Sequence, residues 1–404
     1  MPAVAAPSGP LRLQDRVLPV TGTWAVKAAK IYASAEATPI ERGALLVRAG
    51  RIVEVGEDIG IPPDAEVLDF DNTVVAAGFW NTHVHFTERK WAGAGRKPPS
   101  AINRQLADML TSRGFTTVVD AGSDPRITLS VRKRIEAGEL LGPAIYTAGV
   151  GLYPPRGIPY YLRDSLPWYA PWFMPQPSSP SAARKAVQRN IARGADLVKL
   201  FTGSYVKRGT VLPMPEPIAK AAVDVAHAHH QLVYAHPSDL AGTLVALQSG
   251  VDVLAHAPDI TDGIDDRLLQ NLVDHRVGMV PTLKMFGTTV RPDEGYLKPI
   301  YEIVRRFRDL GGEMMFGTDV GYMADYDTEG EFRALGESGL GWKENLRMLT
   351  SAPAQRFGAT DKGVIAPGKT ADLVLLDEDP ASDPRAFARV RATVRGGRVL
   401  WSRS

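Results

Sequence analysis

Eight short apolar segments of the chain alternate with longer segments that have the periodicity of amphipathic helices. The helical segments include 217–230 and 242–250, the second with Gly250 as a stop signal. Such alternation is typical of a parallel sheet, and eight strands is the number that closes a (β/α)8 TIM barrel. We therefore predict an α/β fold with this barrel over residues 75–362. The eight predicted strands have the sequences FWNTHVHF, TTVVDAG, PAIYTAG, DLVKLF, LVYAH, DVLAH, VGMVP and MMFGTD.

The two ends of the chain have a different pattern. Residues 11–74 and 363–404 contain alternating runs such as GALLVRAGRIVEVG and ATVRGGRVLWS, with Gly turns between them. Both segments are rich in predicted strands and flank the barrel. We expect them to pair into one small β-sandwich domain, so that 404 residues make one large and one small domain.

Six side chains that can bind a metal fall on the predicted strands, mostly at their carboxyl ends. His83 and His85 are two residues apart on one strand, so they point to the same face. In a barrel of this kind the functional face lies at the carboxyl ends of the strands. The sequence therefore predicts that these side chains converge at one mouth. The six are His83, His85, Lys199, His236, His256 and Asp319.

The other four histidines act as a control for this pattern. His227, His229, His230 and His275 fall in predicted helices or near their C-terminal ends. Residues two apart on a helix do not face the same way, and helix C-termini lie at the opposite end of the barrel. We interpret these four as surface or dipole-compensating residues.

Composition narrows the chemistry of the site and its partners. Cysteine is absent, so a metal must be held by nitrogen and oxygen. The balance of 47 basic and 45 acidic side chains lacks the signature of nucleic-acid binding, and no apolar run approaches the roughly 18 residues that cross a bilayer. We expect a small-molecule substrate, no nucleic acid and no membrane. The start lacks a signal-peptide pattern, which favours the cytoplasm and leaves a processed secreted or periplasmic form open.

Lys199 is unusual among these candidates because an ammonium beside divalent cations is repelled. Two interpretations are open. Lys199 is a structural lysine that points elsewhere, or its neutral amine reacts with carbon dioxide to form a carbamate, an anionic group with two oxygens that can bridge two metal ions.

The segments HVH, VKLF, YAHP, LAHA and GTD, in this order and on these strands, resemble the amidohydrolase superfamily in its binuclear branch with a carboxylated lysine. The resemblance extends over nearly the whole chain, because the closing segment GVIAPGKTADLVLLD is also similar to that family. The stretch GADLVKLFTG resembles the imidazolonepropionase-like and prolidase-like group most.

This resemblance implies a role for each candidate. His83, His85 and Asp319 would hold the more buried metal, His236 and His256 the more exposed one, and carboxylated Lys199 would bridge them. The ions would be two divalent metals, most often zinc with such ligands. A hydroxide shared by the ions would be the nucleophile, and Asp319 would act as general base and then as acid. The alternative role for Asp319 is a helix N-cap after the eighth strand.

The leading interpretation is thus a binuclear hydrolase of amide bonds in N-acyl amino acids, dipeptides or bulky aryl amides. The same site would suit esters, lactones, carbamates or phosphotriesters. A non-catalytic scaffold on this fold predicts lost ligands, and here none is missing. A mononuclear deaminase is disfavoured because it does not need a lysine at position 199.

Substrate contacts are expected from two regions. The long connection 152–175 is rich in aromatic residues, as expected for a lid over the site or for a subunit interface. We also expect the protein to be a homo-oligomer. Tyr205, Lys207 and Arg208 follow the fourth predicted strand, and Lys284 follows the seventh. From these segments and the connection 152–175, we select Tyr205, Tyr153 and Lys284 as candidates for substrate binding. The aromatic residues of the connection are Tyr153, Tyr160, Tyr161, Trp168, Tyr169, Trp172 and Phe173.

Overall fold

The computed structural model describes residues 22–165, 168, 170–290 and 293–403. Its strands are β1 (Thr23–Tyr32), β2 (Ile40–Glu41), β3 (Ala44–Arg48), β4 (Arg51–Gly56), β5 (Glu66–Ala77), β6 (Phe79–Val84), β7 (Phe115–Asp120), β8 (Ala144–Thr147), β9 (Leu197–Phe201), β10 (Gly203–Lys207), β11 (Thr210–Pro213), β12 (Leu232–His236), β13 (Val253–Ala255), β14 (Gly278–Val280), β15 (Leu373–Leu376), β16 (Val390–Arg395) and β17 (Arg398–Ser402). Its α-helices are α1 (Pro99–Met109), α2 (Pro125–Glu136), α3 (Tyr160–Ser165), α4 (Pro180–Ala192), α5 (Glu216–Ala228), α6 (Leu240–Ser249), α7 (Asp266–Asp274), α8 (Leu283–Met285), α9 (Glu294–Asp309), α10 (Glu329–Glu337), α11 (Trp342–Leu349) and α12 (Ser351–Arg356).

Strands from the two ends of the chain pair into one sheet. Its order is β17-β16-β15-β5-β1-β3-β4, and β2 pairs with β1. The joint between the two ends is β5, which pairs in parallel with β1 and antiparallel with β15. All eight strands are hydrogen-bonded into this one sheet. The predicted segment also included residues 11–21 and 404, which lie outside the described residues.

The period of two along β5 divides the apolar side chains between two cores. Val75 and Ala77 pack with residues of the terminal sheet, in a core that also contains Trp24. Val74 and Ala76 point the other way and join the large core of the chain. Because successive strand residues alternate in direction, this one strand attaches the terminal sheet to the rest of the fold.

The central strands are parallel and form an α/β, TIM-barrel-like arrangement. One sheet has the order β6-β7-β8 and the other β14-β13-β12-β9. Backbone hydrogen bonds join the two sheets on both sides. On one side the Leu152 amide donates to the Lys199 carbonyl at 2.8 Å. On the other, the extended segment 313–320 lies between β6 and β14, with the Thr82 amide donating to Phe316 at 2.8 Å and the Met315 amide donating to Met279 at 2.9 Å.

Seven of the eight predicted barrel segments contain a strand in the structure. The eighth, MMFGTD at 314–319, makes one isolated parallel bridge, Met279 to Met314, and the next residue, Val320, makes another to Val84. The reason is local, because Asp319 has a φ of 59° and Gly321 a φ of 95°. Backbone in the left-handed region leaves the extended conformation and interrupts a regular ladder.

The two helices predicted in detail are present with small shifts at their ends. Predicted 217–230 corresponds to α5, and predicted 242–250 to α6. Asp239 caps α6 by accepting a hydrogen bond from the Gly242 amide at 2.8 Å, and Gly250 ends the helix with a left-handed φ of 81°. Within the residues that the structure describes, none of the helices is both long and apolar enough to span a bilayer.

Candidate metal centre

The six predicted ligands meet at one end of the parallel strands. The ring centroids of His83 and His256 are 4.5 Å apart, those of His236 and His256 4.7 Å, and those of His83 and His85 5.2 Å. Lys199 is 2 % exposed and lies in β9, where its Nζ is 5.6 Å from the ring centroid of Phe201. Phe201 in turn stacks on His236 at 5.0 Å. The side chains that the sequence placed on separate strands therefore form one cluster.

Asp319 reaches His83 in β6 and His85 just after it from the segment 313–320. Its Oδ1 lies 3.0 Å from His85 Nε2 and 3.4 Å from His83 Nε2. His83, His256 and Asp319 each offer one ligand atom, and these three atoms lie within 4.8 Å of one another. This spacing is compatible with a shared cation at the centre of the group.

Several polar atoms of the cluster are buried and lack a hydrogen bond. In the described part of the chain, both ring nitrogens of His83 and Oδ1 of Asp319 have no hydrogen-bond partner. Buried polar groups are nearly always paired, and a bound ion is one of the few explanations for exceptions. Imidazole nitrogen and carboxylate oxygen are also the donors that zinc and similar ions prefer. The residues present therefore fit a divalent cation.

The outer ring nitrogens of two ligands are fixed by hydrogen bonds. His85 Nδ1 lies 2.7 Å from the Gly122 carbonyl oxygen, which can only accept. His256 Nδ1 lies 2.7 Å from Thr282 Oγ1, and Thr282 already donates its own hydrogen to the Pro281 carbonyl at 2.8 Å. Both Nδ1 atoms are thus donors, so in the neutral rings Nε2 keeps the lone pair that a metal needs.

A buried carboxylate, Asp120, positions the Gly122 carbonyl. Its Oδ1 accepts from Ser123 Oγ at 2.6 Å and from the Gly122 amide at 3.2 Å. Its Oδ2 accepts from Thr128 Oγ1 and Thr147 Oγ1, both at 2.8 Å. Four donors hold this carboxylate at the end of β7, and it fixes the loop on which the orientation of the His85 ring depends.

Backbone strain and close packing accompany the ligands. His256 has a φ of 106° and Asp319 a φ of 59°, a region that non-glycine residues rarely adopt. Each such residue stores on the order of 1–3 kcal/mol and is held by its surroundings. Gly321, with a φ of 95°, has no room for a side chain because a Cβ there would overlap the His85 carbonyl oxygen. The local geometry around Asp319 therefore requires glycine at this position.

Burial sets the protonation of the cluster. It lowers the pKa of His83, His236 and His256 well below the ordinary value, and the charge of Lys199 adds to the effect. Burial alone would lower the pKa of His85 too, but the adjacent Asp319 carboxylate raises it overall. Three of the four histidines are therefore neutral at pH 7, which is the form that binds metal.

The same desolvation acts on the lysine. Burial lowers the pKa of Lys199 from 10.5 to about 7, against an opposing effect of the Asp319 charge. A substantial fraction of this amine is therefore unprotonated at neutral pH. A neutral amine has the nucleophilic lone pair that an ammonium lacks.

Aromatic side chains from the connection 152–175 line one side of the cluster. Tyr153 is buried and stacks on Phe201 at 4.5 Å, which places it one ring away from His236. Tyr161 in α3 contacts the ring of Tyr322 at 5.6 Å, and the charges of Asp319 and Asp259 both contribute to raising the pKa of Tyr161, after burial and Tyr322. The first half of the connection therefore forms a wall of the site.

The second half of the same connection is exposed. Trp168, Trp172 and Phe173 are 77, 78 and 82 % exposed, and the rings of Trp168 and Trp172 are perpendicular at 5.8 Å. Tyr169, which belonged to the predicted aromatic set, lies outside the described residues. The aromatic connection 152–175 therefore has two parts, a largely buried first half beside the cluster and an exposed second half.

The remaining predicted substrate contacts have specific partners. Tyr205 donates its hydroxyl to Asp259 Oδ2 at 2.7 Å. Lys284 forms an ion pair with Asp325 at 2.8 Å and donates to the Asp327 carbonyl at 2.6 Å. The Lys284 ammonium therefore ties α8 to the loop after residue 320.

Several residues that contact the site were not predicted from the sequence. Asp259 lies three residues after His256 in LAHAPD, so its position after a strand end was a signal that could have found it. Asp120, within TTVVDAG, likewise stands where its apolar run ends. Thr282 and Tyr296 have no comparable local signal, because only the folded chain brings them to His256 and Asp259.

Comparison with known proteins agrees with this arrangement. Residues 74–400 match the Amidohydrolase family. Ochratoxinase of Aspergillus niger is 23 % identical over 445 aligned positions, which cover 96 % of this chain and 90 % of that protein. Among solved structures, a prolidase complexed with N-methylphosphonate-L-proline is 26 % identical with a TM-score of 0.78, covering 94 % of this chain and 100 % of the other.

A Xaa-Pro dipeptidase with bound methionine has a TM-score of 0.79 at 21 % identity and covers 95 % of this chain and 100 % of the other, which is a likeness of fold. The family match covers most of the chain and includes all six clustered residues. The resemblance first noted in the strand-end motifs is thereby confirmed. The chain belongs to the amidohydrolase family, as a hydrolase that acts on C–N bonds.

Proposed function

We propose that the protein is a binuclear metal-dependent hydrolase that cleaves amide bonds in small molecules. The observation that carries the proposal is the buried group of His83, His256 and Asp319, whose ligand atoms lie within 4.8 Å of one another and include atoms of His83 and Asp319 that lack a hydrogen bond. A divalent cation would satisfy these atoms and offset the desolvation of the carboxylate. Such ions act as Lewis acids and lower the pKa of a bound water.

Two subsites follow from the positions of the ligands. His83, His85 and Asp319 would hold one ion, because the two ring nitrogens lie at 3.4 and 3.0 Å from the same carboxylate oxygen. His236 and His256, with ring centroids 4.7 Å apart, would hold the second. Zinc is our first choice, since the donors are nitrogen and oxygen and the sequence has no cysteine.

Lys199 would complete the site as a carbamate. Its amine, with a pKa near 7, would attack the carbon of carbon dioxide and lose a proton to solvent, leaving an N–CO₂⁻ group with two ligand oxygens. This reaction converts the neutral amine into an anionic group among four histidines. The lowered pKa supports it, because an ammonium at this place would repel the ions.

Asp319 would carry the proton during turnover. Its carboxylate lies at the carboxyl end of the barrel, 4 % exposed, between His83 and His85. A carboxylate in this place can accept a proton from the attacking water and deliver it to the departing amine nitrogen. The Asp319 backbone also supports this role, because its strained φ fixes the direction of the carboxylate.

The walls of the site favour bulky substrates. Tyr153, Phe201 and Tyr161 present aromatic rings beside the cluster, and such surfaces bind large apolar groups. The names of the relatives, an ochratoxinase, a prolidase and a Xaa-Pro dipeptidase, support the same classes of substrate. We therefore place aryl amides, N-acyl amino acids and dipeptides first among the substrates.

The proposed function is tested by comparing the turnover of substrates that differ only in the bond to be cleaved. One acyl group is presented as an anilide, as an aryl ester and as an aryl carbamate, and kcat/KM is measured for each with the zinc-loaded protein. Lys220→Ala serves as a control, since this lysine is exposed and pairs with Asp224 on the surface of α5. Anilide turnover by the wild type and by this control supports the proposal. Turnover of the ester alone would contradict it.

A further inference from the structure

We propose that Asp259 is a specificity residue that binds an ammonium or another N–H donor group of the substrate. The inference rests on the proposed function, because it concerns the wall of the same site. Asp259 lies in the loop after β13, and its amide donates to the Ser238 carbonyl at 3.1 Å. Ser238 follows His236 by two residues, so the Asp259 loop contacts the loop that follows β12 and its terminal residue His236.

Two tyrosines hold the Asp259 carboxylate from different parts of the chain. Tyr205 in β10 donates to Oδ2 at 2.7 Å, and Tyr296 in the first turn of α9 donates to the same oxygen at 2.8 Å. Among the described residues, Oδ1 has no side-chain donor. A charge held from one side by two hydroxyls is oriented, and its second oxygen remains available to a ligand.

A continuous aromatic path connects this carboxylate to the metal ligands. The ring of Phe286 lies 6.4 Å from that of His256 and 6.4 Å from that of Tyr296, so it spans the distance between them. The charges of Asp319 and Asp259 both contribute to raising the pKa of Tyr161, after burial and Tyr322, so this tyrosine lies near both carboxylates. A substrate whose scissile bond is at the histidines and whose body contacts these rings would therefore bring one end to Asp259.

Among the residues that the structure describes, no cation neutralises the charge of Asp259. Within the described ranges, Asp259 forms no ion pair with a lysine or an arginine. In the described part of the chain, the charged group that acts on Asp259 is Asp239, which has the same sign. Burial, followed by the effect of Asp239, raises the pKa of Asp259, while the two tyrosine hydroxyls oppose this change. An anionic end of a substrate would be repelled here, and a cation would be attracted.

Lys207 and Arg208 do not reverse this conclusion. Both are exposed residues at the end of β10 and in its turn to β11, and Lys284 is bound to Asp325. The wall near Asp259 thus recognises positive charge, which favours amides with a free amino or other N–H donor group over those with a carboxylate at that end.

The test uses two ligands of the same shape that differ in charge. Isothermal titration calorimetry compares 2-phenylethylamine, which is protonated at neutral pH, with uncharged 2-phenylethanol on the zinc-loaded full chain. We expect the amine to bind roughly tenfold more tightly, as for a charge-assisted hydrogen bond. In Asp259→Asn this preference should fall to near parity, with the affinity for the alcohol unchanged.

A matched control removes the same charge from the same loop. Asp262 is exposed three residues further on, and Asp262→Asn should keep the wild-type preference. Equal affinities in the wild type would overturn the inference, and this comparison needs no variant to fold. A preference that survives Asp259→Asn would also overturn it, because the amine would then bind elsewhere, for example at the metal.

Turnover separates this inference from the proposed function. The anilides of phenylalanine with a free and with a succinylated amino group are compared in the wild type. Hydrolysis of both at equal kcat/KM leaves the amide hydrolase intact and contradicts the role of Asp259. Absence of turnover with either anilide and with the other amides contradicts the proposed function, while the calorimetry still decides the role of Asp259.

Discussion

Replacing Asp120 by Asn should weaken metal binding without touching a metal ligand. Asp120 accepts four hydrogen bonds, and two of them hold Gly122 and Ser123 in the loop that meets His85. The Asn amide can keep its oxygen toward Gly122 and turn its NH₂ toward the two threonines, whose hydroxyls can reverse. The shape is retained, and the charge is lost.

The size of the effect follows from these contacts. Hydrogen bonds to a charged group are worth about 1.5–3 kcal/mol and those between neutral groups about 1 kcal/mol, so weakening the set should lower the free energy of unfolding by about 2–3 kcal/mol. A less ordered Gly122 carbonyl would also release the His85 ring. Loss of such an outer contact typically lowers metal affinity by about 10–100-fold.

Two assays and one control separate the parts of this prediction. Urea denaturation gives the stability, and competition with a chelator gives the zinc affinity. Thr128→Val removes one donor to Asp120 Oδ2 but leaves the loop at Gly122 in place. It should lower stability by about 1–2 kcal/mol with unchanged zinc affinity. Equal zinc affinities of Asp120→Asn and the wild type would refute the positioning argument.

Three further perturbations test other parts of the account. Lys199→Ala should lose bridging, most metal and most amide turnover, and bicarbonate should not restore them; full kcat would contradict the carbamate. Gly321→Ala should reduce kcat more than it raises KM, because its Cβ would displace His85; unchanged kinetics would contradict this. Burial raises the pKa of Glu331 from 4.5 to about 7. The native protein therefore binds an extra proton in this range, and stability measured by urea denaturation should fall from pH 4.5 to about 7 by up to about 3 kcal/mol, a slope that Glu331→Gln should lack.

The parallel strands and their ligands could be predicted because the information is local. A period of two, a polar residue at the end of each apolar run and a following helical pattern are properties of short segments. His83, His236 and His256 were placed in this way, and the structure brings them together. The helix end at Gly250 was predictable for the same reason, since a glycine there adopts the left-handed φ that ends α6.

The parts that could not be predicted depend on distant pairing. Tyr296 and Asp259 are separated by 37 residues and belong to different elements. Lys284 looked free in the sequence, whereas in the fold it pairs with Asp325, 41 positions away. The last barrel segment reads as a strand in the sequence, but the turn at Asp319 and Gly321 that presents the carboxylate interrupts its ladder.

The central claim is that the clustered histidines, Lys199 and Asp319 hold two metal ions. The most direct measurement is metal content per chain by plasma mass spectrometry, on protein purified without chelators, for the wild type and for His83→Asn. We expect about two zinc ions per chain in the wild type and at most one in the variant. A wild-type protein that binds no divalent metal when zinc is supplied would contradict the account.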